Sequence, residues 1–242
     1  MFELYYWPGI PGRGEYPRLV LEAAEAPYRE MVQLSSKEGG GMSAMSAFLD
    51  GGAGDYVPFA PPFLKDGDVV VSQSGVIAAY LGEKLGPAPQ SEPDRVFARS
   101  VAVTTADLAT EAHDVHHPVG SGRYYEEQKP EALRQAEEFR SERMPKFLGW
   151  YETLIGHNST GSGFLVGDRM TYADLGLFHS VEGLRYAFPR RMATLEGHYP
   201  KVLALCAKVA AQPAVKHYLD SDRRQPFNEN GIFRHYPELD GE

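Results

Sequence analysis

"LYYWPGIPGRGEYPRLVLEAA", residues 4–24, decides how the chain begins. Two tyrosines and a tryptophan run straight into a turn crowded with Gly and Pro, and Arg13, Glu15 and an apolar run follow at once. Phe2, Leu4 and Tyr6 alternate on one face of a strand, and Tyr5 falls on the other. From Arg13 to Ala24 the spacing predicts a helix. The stretch therefore carries an aromatic hydroxyl from the end of a strand to the start of a helix, where open α/β sheets place their ligands.

Working outward, "YREMVQL" (28–34), "PPFLKDG" (61–67) and "VVVSQSG" (69–75) add strand-like runs to the first eighty-odd residues. From Pro93 onward the patterns turn helical, with helices expected at Pro93–His117, Pro130–Ile155, Thr171–Phe188 and Pro200–Ala211, and a short one after Pro213. The Pro-rich "GPAPQSEP" (86–93) reads as the junction between them. The expected organisation is an α/β domain at 1–85, a linker at 86–92 and an all-α domain at 93–242. Thr171 with Asp174 three residues on forms a capping box, and Met170 can staple onto Leu175. The tail "RRQPFNENGIFRHYPELDGE" (223–242) is expected to pack along the surface.

The 242 residues are 43% hydrophobic and 24% charged, the balance of a globular chain long enough to bury a sizeable core. A net charge of −9 opposes binding to nucleic acid or to anionic membranes. No basic and apolar leader opens the sequence, so a cytoplasmic location is expected. Cys206 is the single cysteine and lies in the apolar run "VLALCAKVAA" (202–211), which rules out an internal disulfide and reads as a small buried hydrophobe. In "EAHDVHHP" (111–118), His113 and His117 stand four apart on an expected helix, with Asp114 and His116 nearby. Helical spacing offers them no third ligand of the same orientation, so no metal is expected.

Taken in order, these motifs resemble the cytosolic glutathione transferases from Phe2 to about Ser221. Leu4-Tyr5-Tyr6-Trp7 followed by Gly12-Arg13-Gly14-Glu15 is similar to the first strand and helix of the tyrosine-type classes (alpha, mu, pi and sigma). "PPFLKDGDVVVSQSG" (61–75) resembles the cis-proline strand and the Gln-Ser turn that binds glutathione, and "TYADLGLF" (171–178) resembles the family's capping box. The resemblance implies an N-terminal thioredoxin-like domain followed by a C-terminal helical bundle domain, working as a homodimer. It also implies conjugation of the glutathione thiol to a small hydrophobic electrophile, as in detoxification. Glutathione is then a co-substrate, and no further cofactor is implied.

The same resemblance implies roles for individual residues. Tyr6 would donate a hydrogen bond to the glutathione thiolate, and Arg13 would favour that charge electrostatically. The loop "PGIPG" (8–12) is one residue longer than the usual pattern. Trp7, Lys37, Pro61, Pro62, Gln73, Ser74 and Asp107 would bind glutathione, with Pro62 as the cis-proline and Asp107 reaching across the dimer. Pro61 departs from the family: lacking an N–H, it can offer glutathione its carbonyl alone. Ile10, His113, His117 and Tyr124 would line the electrophile pocket. A glutathione-dependent isomerase or peroxidase would use the same thiolate, and a non-catalytic ligand-binding or interaction protein could keep the fold without it.

Overall fold

The structure is a computed structural model and describes residues 1–241, so the last residue of the expected helical domain, Glu242, lies outside it. Strand β1 (Phe2–Tyr5) runs parallel to β2 (Tyr28–Glu30) and antiparallel to β3 (Phe63–Asp66), which pairs antiparallel with β4 (Val69–Ser72). The sheet order is β2-β1-β3-β4. Helix α1 (Glu15–Ala23) starts two residues later than the spacing predicts, because Gly12–Gly14 forms a 3-10 turn ahead of it. Helices α2 (Met42–Leu49) and α3 (Ser74–Leu85) complete this half.

The pleat of β1 divides its side chains as the alternation requires. Phe2 and Leu4 join a core with Leu19, Val20 and Ile77 from α1 and α3. Tyr5 faces the other way, into a smaller cluster with Met31, Met45, Phe48 and Phe63, and it stacks on Phe63 at 4.5 Å between ring centroids. Tyr5 is therefore committed to packing on the face away from α1.

The second half comprises α4 (Glu92–Asp114), α5 (Lys129–Glu138), α6 (Met144–His157), α7 (Tyr172–Ala187), α8 (Pro189–Leu195), α9 (Pro200–Ala210) and α10 (Pro213–Leu219). The hydroxyl of Ser91 accepts from the Asp94 N–H and caps α4, while Pro93 fills the first turn, where its missing N–H costs nothing. The run expected at 130–155 is interrupted by a π-helical turn at Phe139–Arg143. Helix α8 went unpredicted, and the signal for it was Pro189 directly after Phe188.

Thr171 and Asp174 form the expected box: the Asp174 carboxylate accepts from the Thr171 N–H at 2.7 Å and from the Leu165 N–H at 2.8 Å. It thereby fixes both the start of α7 and the loop before it. Helix α7 is buried along nearly its whole length and packs against α1, α4 and α9, so one apolar core runs through both halves. The expectation of a surface tail fails. Phe233 is buried so closely on α7 that a Cβ on Gly183 would come within 2.3 Å of its ring, and Ile232 and Leu239 are buried with it. Among the described residues no helix is long and apolar enough to cross a membrane.

Candidate active site

Tyr6 follows the last residue of β1, and only 4% of its surface is exposed. The turn wraps it closely. A Cβ on Gly12, whose φ is +45°, would lie 2.2 Å from the Tyr6 hydroxyl, and one on Gly14 would lie 2.5 Å from the ring. Only glycine admits the ring at these two places. With the ring seated, the Arg13 backbone N–H donates to the Tyr6 hydroxyl oxygen at 2.8 Å. The phenol thus receives a bond on its oxygen and keeps its own proton to give.

Burial raises the proton affinity of Tyr6, while the Arg13 and Gly14 N–H groups and the Arg18 and Arg13 guanidinium groups pull the other way. The net shift is upward, so Tyr6 is a neutral donor at physiological pH.

Register brings further candidates to the same edge. Tyr5 pairs with Phe63, and Phe63 with Ser72. One step further along these strands, Tyr6, Pro62 and Gln73 stand side by side at the end of the sheet. The Pro61-Pro62 bond is cis. Gln73 has φ +70°, a conformation that costs a non-glycine residue about 1–3 kcal/mol and is concentrated at functional sites. Nothing in the spacing announced that strain. Immediately after Gln73, the buried Ser74 begins α3, and the first N–H groups of that helix lack intrahelical partners. Together with the helix dipole they suit a carboxylate.

The Arg13 guanidinium points away from the phenol and donates to the Thr110 hydroxyl on α4 at 2.9 Å. The longer loop therefore places the Arg13 backbone, rather than its side chain, on Tyr6. Asp107 and His113 lie one turn to either side of Thr110, so they share its face of α4. Asp107, Thr110 and Glu111 line a groove of about 570 Å³ with Lys146 and Trp150 of α6.

Other expected site residues are less engaged. Lys37 is exposed in a 3-10 turn, Ser36–Glu38. Trp7 is largely exposed, Ile10 is half-buried, and Tyr124 stands 80% exposed. Tyr125, the neighbour of Tyr124, is instead buried against Tyr236 at 3.9 Å between ring centroids.

Charged residues that the sequence reading left aside support the phenol from beneath. Arg18 and Glu15 are fully buried in α1, and the Arg18 guanidinium lies 5.6 Å from the centre of the Tyr6 ring. Arg18 bonds Glu15 at 3.3 Å, pairs with Glu30, and donates to the Pro11 carbonyl at 3.1 Å. Glu15 also accepts from Tyr218 at 3.0 Å, which anchors α10 to the start of α1. The signal was available: Glu15, Arg18 and Glu22 recur on one face of a helix that is otherwise apolar.

His179 of α7 ties the other side of the turn, its Nε2 lying 3.0 Å from the Gly12 carbonyl oxygen. The histidines after Thr110 also depart from expectation. Helix α4 ends at Asp114, so His116 and His117 are not held to helical spacing and turn back toward His113.

Comparison with known proteins agrees with this architecture. The family model "Glutathione S-transferase, C-terminal domain" matches residues 113–222. "Glutathione S-transferase P 1" of Xenopus laevis is 26% identical over 92% of this chain and 93% of its own, and a "Glutathione S-transferase" of Plasmodium yoelii yoelii is 23% identical over 86% and 88%. The structure of prostaglandin synthase D of Nilaparvata lugens superposes with a TM-score of 0.69 at 19% identity, covering 93% of this chain and all of that one, and speaks to the fold. The N-terminal half is thioredoxin-like and the C-terminal half is the helical domain of these enzymes. Residues 113–222 match the C-terminal domain family of the glutathione S-transferases, and over most of its length the chain is similar to those enzymes.

Proposed function

We propose that the protein is a tyrosine-type glutathione transferase that conjugates the glutathione thiol to a small hydrophobic electrophile. The observation that carries this reading is the seating of the Tyr6 hydroxyl on the Arg13 N–H at 2.8 Å. A free thiol has a pKa near ~8.5 and is mostly protonated at neutral pH, whereas the thiolate is the nucleophile. A donor held against the sulfur favours the anion, and each unit of lowering corresponds to about 1.4 kcal/mol. Because Tyr6 already accepts a bond, polarisation along the chain of hydrogen bonds strengthens the one that it donates. The thiolate then attacks the electrophile, forming a carbon–sulfur bond by substitution or addition, and the thiol proton leaves to solvent.

Around that centre, the cysteinyl backbone pairs with the Pro61 carbonyl beside Pro62, and the γ-glutamyl carboxylate sits on Ser74 and Gln73 at the start of α3. Lys37 and Trp7 reach the glycyl end, and Arg13 contributes its positive charge. The electrophile lies against Ile10, His113, His117 and Tyr124. Glutathione acts as co-substrate, and this chemistry needs no other cofactor.

Exposed apolar side chains on α3 and α4, namely Val76, Val96, Phe97 and Val103, support a homodimer in which Asp107 reaches the partner's glutathione. The setting is cytoplasmic detoxification.

Calorimetric titration with glutathione beside a conjugation assay using a generic aromatic chloride tests the reading. Binding with turnover is expected. Binding without turnover moves the assignment to an isomerase or peroxidase using the same thiolate. No binding up to millimolar glutathione overturns the enzyme reading in favour of a ligand-binding protein of this fold.

A further inference from the structure

His113 and His117, placed above beside the electrophile, also converge with His116, and lining a pocket does not require that convergence. One ring nitrogen from each lies within 4.8 Å of the others. The rings of His113 and His117 stack at 4.8 Å with an interplanar angle of 9°, and His116 meets both nearly edge-on.

The hydrogen bonds sort the nitrogens. His116 Nε2 lies 2.8 Å from the Ile232 carbonyl oxygen, which can only accept, so the proton sits on Nε2 and the lone pair on Nδ1. That Nδ1 accepts from the His117 Nδ1–H at 2.5 Å, so His117 must move this proton to its Nε2 before its Nδ1 can take an ion. His113 Nδ1 lies 3.2 Å from the Asp114 carboxylate, which leaves His113 Nε2 with its lone pair free. Two of the three rings thus donate their remote N–H to a carbonyl or a carboxylate. This is the outer arrangement that orients metal-binding imidazoles and fixes their tautomer.

We propose that His113 Nε2, His116 Nδ1 and His117 Nδ1 form a site for a borderline divalent cation of the Zn²⁺ class. Three neutral imidazoles suit Zn²⁺, Cu²⁺ or Ni²⁺ and leave a fourth position for water. His113 and His117 are partly exposed, so the ion can enter from solvent. Around a tetrahedral ion with metal–nitrogen bonds of ~2.0–2.1 Å the nitrogens stand ~3.3 Å apart, so the His116–His117 pair opens by less than an ångström.

Arg234 is the charge that opposes a cation here. It donates to the Gly231 carbonyl, and Asp114 offsets it. Because His116 holds the tail through Ile232, the ion would also fasten that tail to the end of α4.

The test uses tag-free protein, stripped with chelator and titrated with Co²⁺, whose visible d–d absorption reports coordination by nitrogen; Zn²⁺ then competes the band away. One equivalent per chain is expected, with a rise in melting temperature on adding Zn²⁺. His116 is buried and its replacement can unfold the chain, so the deciding variants are His113→Gln and His117→Gln, whose folding is checked by circular dichroism. Each should abolish the band, and Asp114→Asn should weaken binding roughly 10–100-fold. Absence of a band at excess Co²⁺, or a band unchanged in the His113→Gln, His117→Gln double variant, overturns the site.

Discussion

The Arg13 backbone N–H meets the Tyr6 hydroxyl oxygen at 2.8 Å, and so the donor role of Tyr6 rests on a main-chain contact that no substitution at residue 13 except proline removes. Tyr6→Phe deletes the donated bond and keeps the ring. A hydrogen bond to a charged group contributes about 1.5–3 kcal/mol, so conjugation should fall roughly ten- to a hundredfold. Glutathione affinity should change little. The pH at which enzyme-bound thiol ionises, read from thiolate absorbance in the ultraviolet, should rise in the variant. Full activity in a correctly folded Tyr6→Phe protein would transfer the role to another donor.

Arg13→Ala separates the two contributions of that residue. It keeps the N–H on Tyr6 but loses the bond to Thr110 at 2.9 Å and the positive charge near the cleft. Its activity loss should therefore be smaller than that of Tyr6→Phe. A larger loss would make the guanidinium, not the phenol, the main source of thiolate stability.

Gly12 and Gly9 both have positive φ, +45° and +75°, yet only the Cβ of an alanine at 12 would strike the Tyr6 hydroxyl. A Cβ at Gly9 meets nothing within 4 Å. Gly12→Ala should cost activity through displacement of the phenol, while Gly9→Ala should carry only a backbone penalty of about 1 kcal/mol. Equal kinetics in the two variants would show that the seat of Tyr6 is more yielding than its contacts imply.

Val76 and Val103 stand exposed on α3 and α4, either side of a groove of about 320 Å³. An arginine at either position places an unpaired charge in the middle of the proposed interface. Val76→Arg and Val103→Arg should each yield monomers by light scattering. They should also bind glutathione more weakly, because Asp107 would no longer face a partner's site. A wild-type chain that is already monomeric rules out the shared site.

Much of this was legible before any coordinates because the signals were local. Thr171 and Asp174 declared a helix start three residues apart, Pro93 marked another, and the alternation through Phe2, Leu4 and Tyr6 set the faces of β1. Contacts distant in sequence left no such trace. That Phe233 would press on Gly183, or that Ile232 would bond His116 from 116 residues away, depends on where a long excursion of the chain returns, and no short-range pattern encodes it. The histidine cluster escaped for a related reason: the spacing argument assumed a helix through His117, and α4 ends at Asp114. Composition obscured the rest. Glu15 and Arg18 are ordinarily surface residues, yet both are buried and paired with each other and with residues from β2 and α10.

His179 couples the core to the site and should make stability depend on pH. Its ring is fully buried, edge-on to Tyr16 at 4.9 Å, and its Nε2 proton goes to the Gly12 carbonyl. Its Nδ1 has no partner among the described residues. Burial, with the Arg224 charge adding, lowers its pKa to about 3, against ~6.5 in the unfolded chain. The folded state thus binds fewer protons than the unfolded one between these values. The contribution is complete above pH ~6.5 and is lost as pH falls toward 3, with a slope of at most about 1.4 kcal/mol per unit.

His179→Gln keeps a donor for Gly12 and removes the titration. It should start less stable at pH 8, having lost ring packing, and should lose less stability than the wild type between pH 6.5 and 4. Urea midpoints of both proteins across that range decide it. Parallel curves would assign the acid sensitivity to other groups, whereas converging curves would make the link between α7 and the Gly12 turn the first part of the active site to fail in acid.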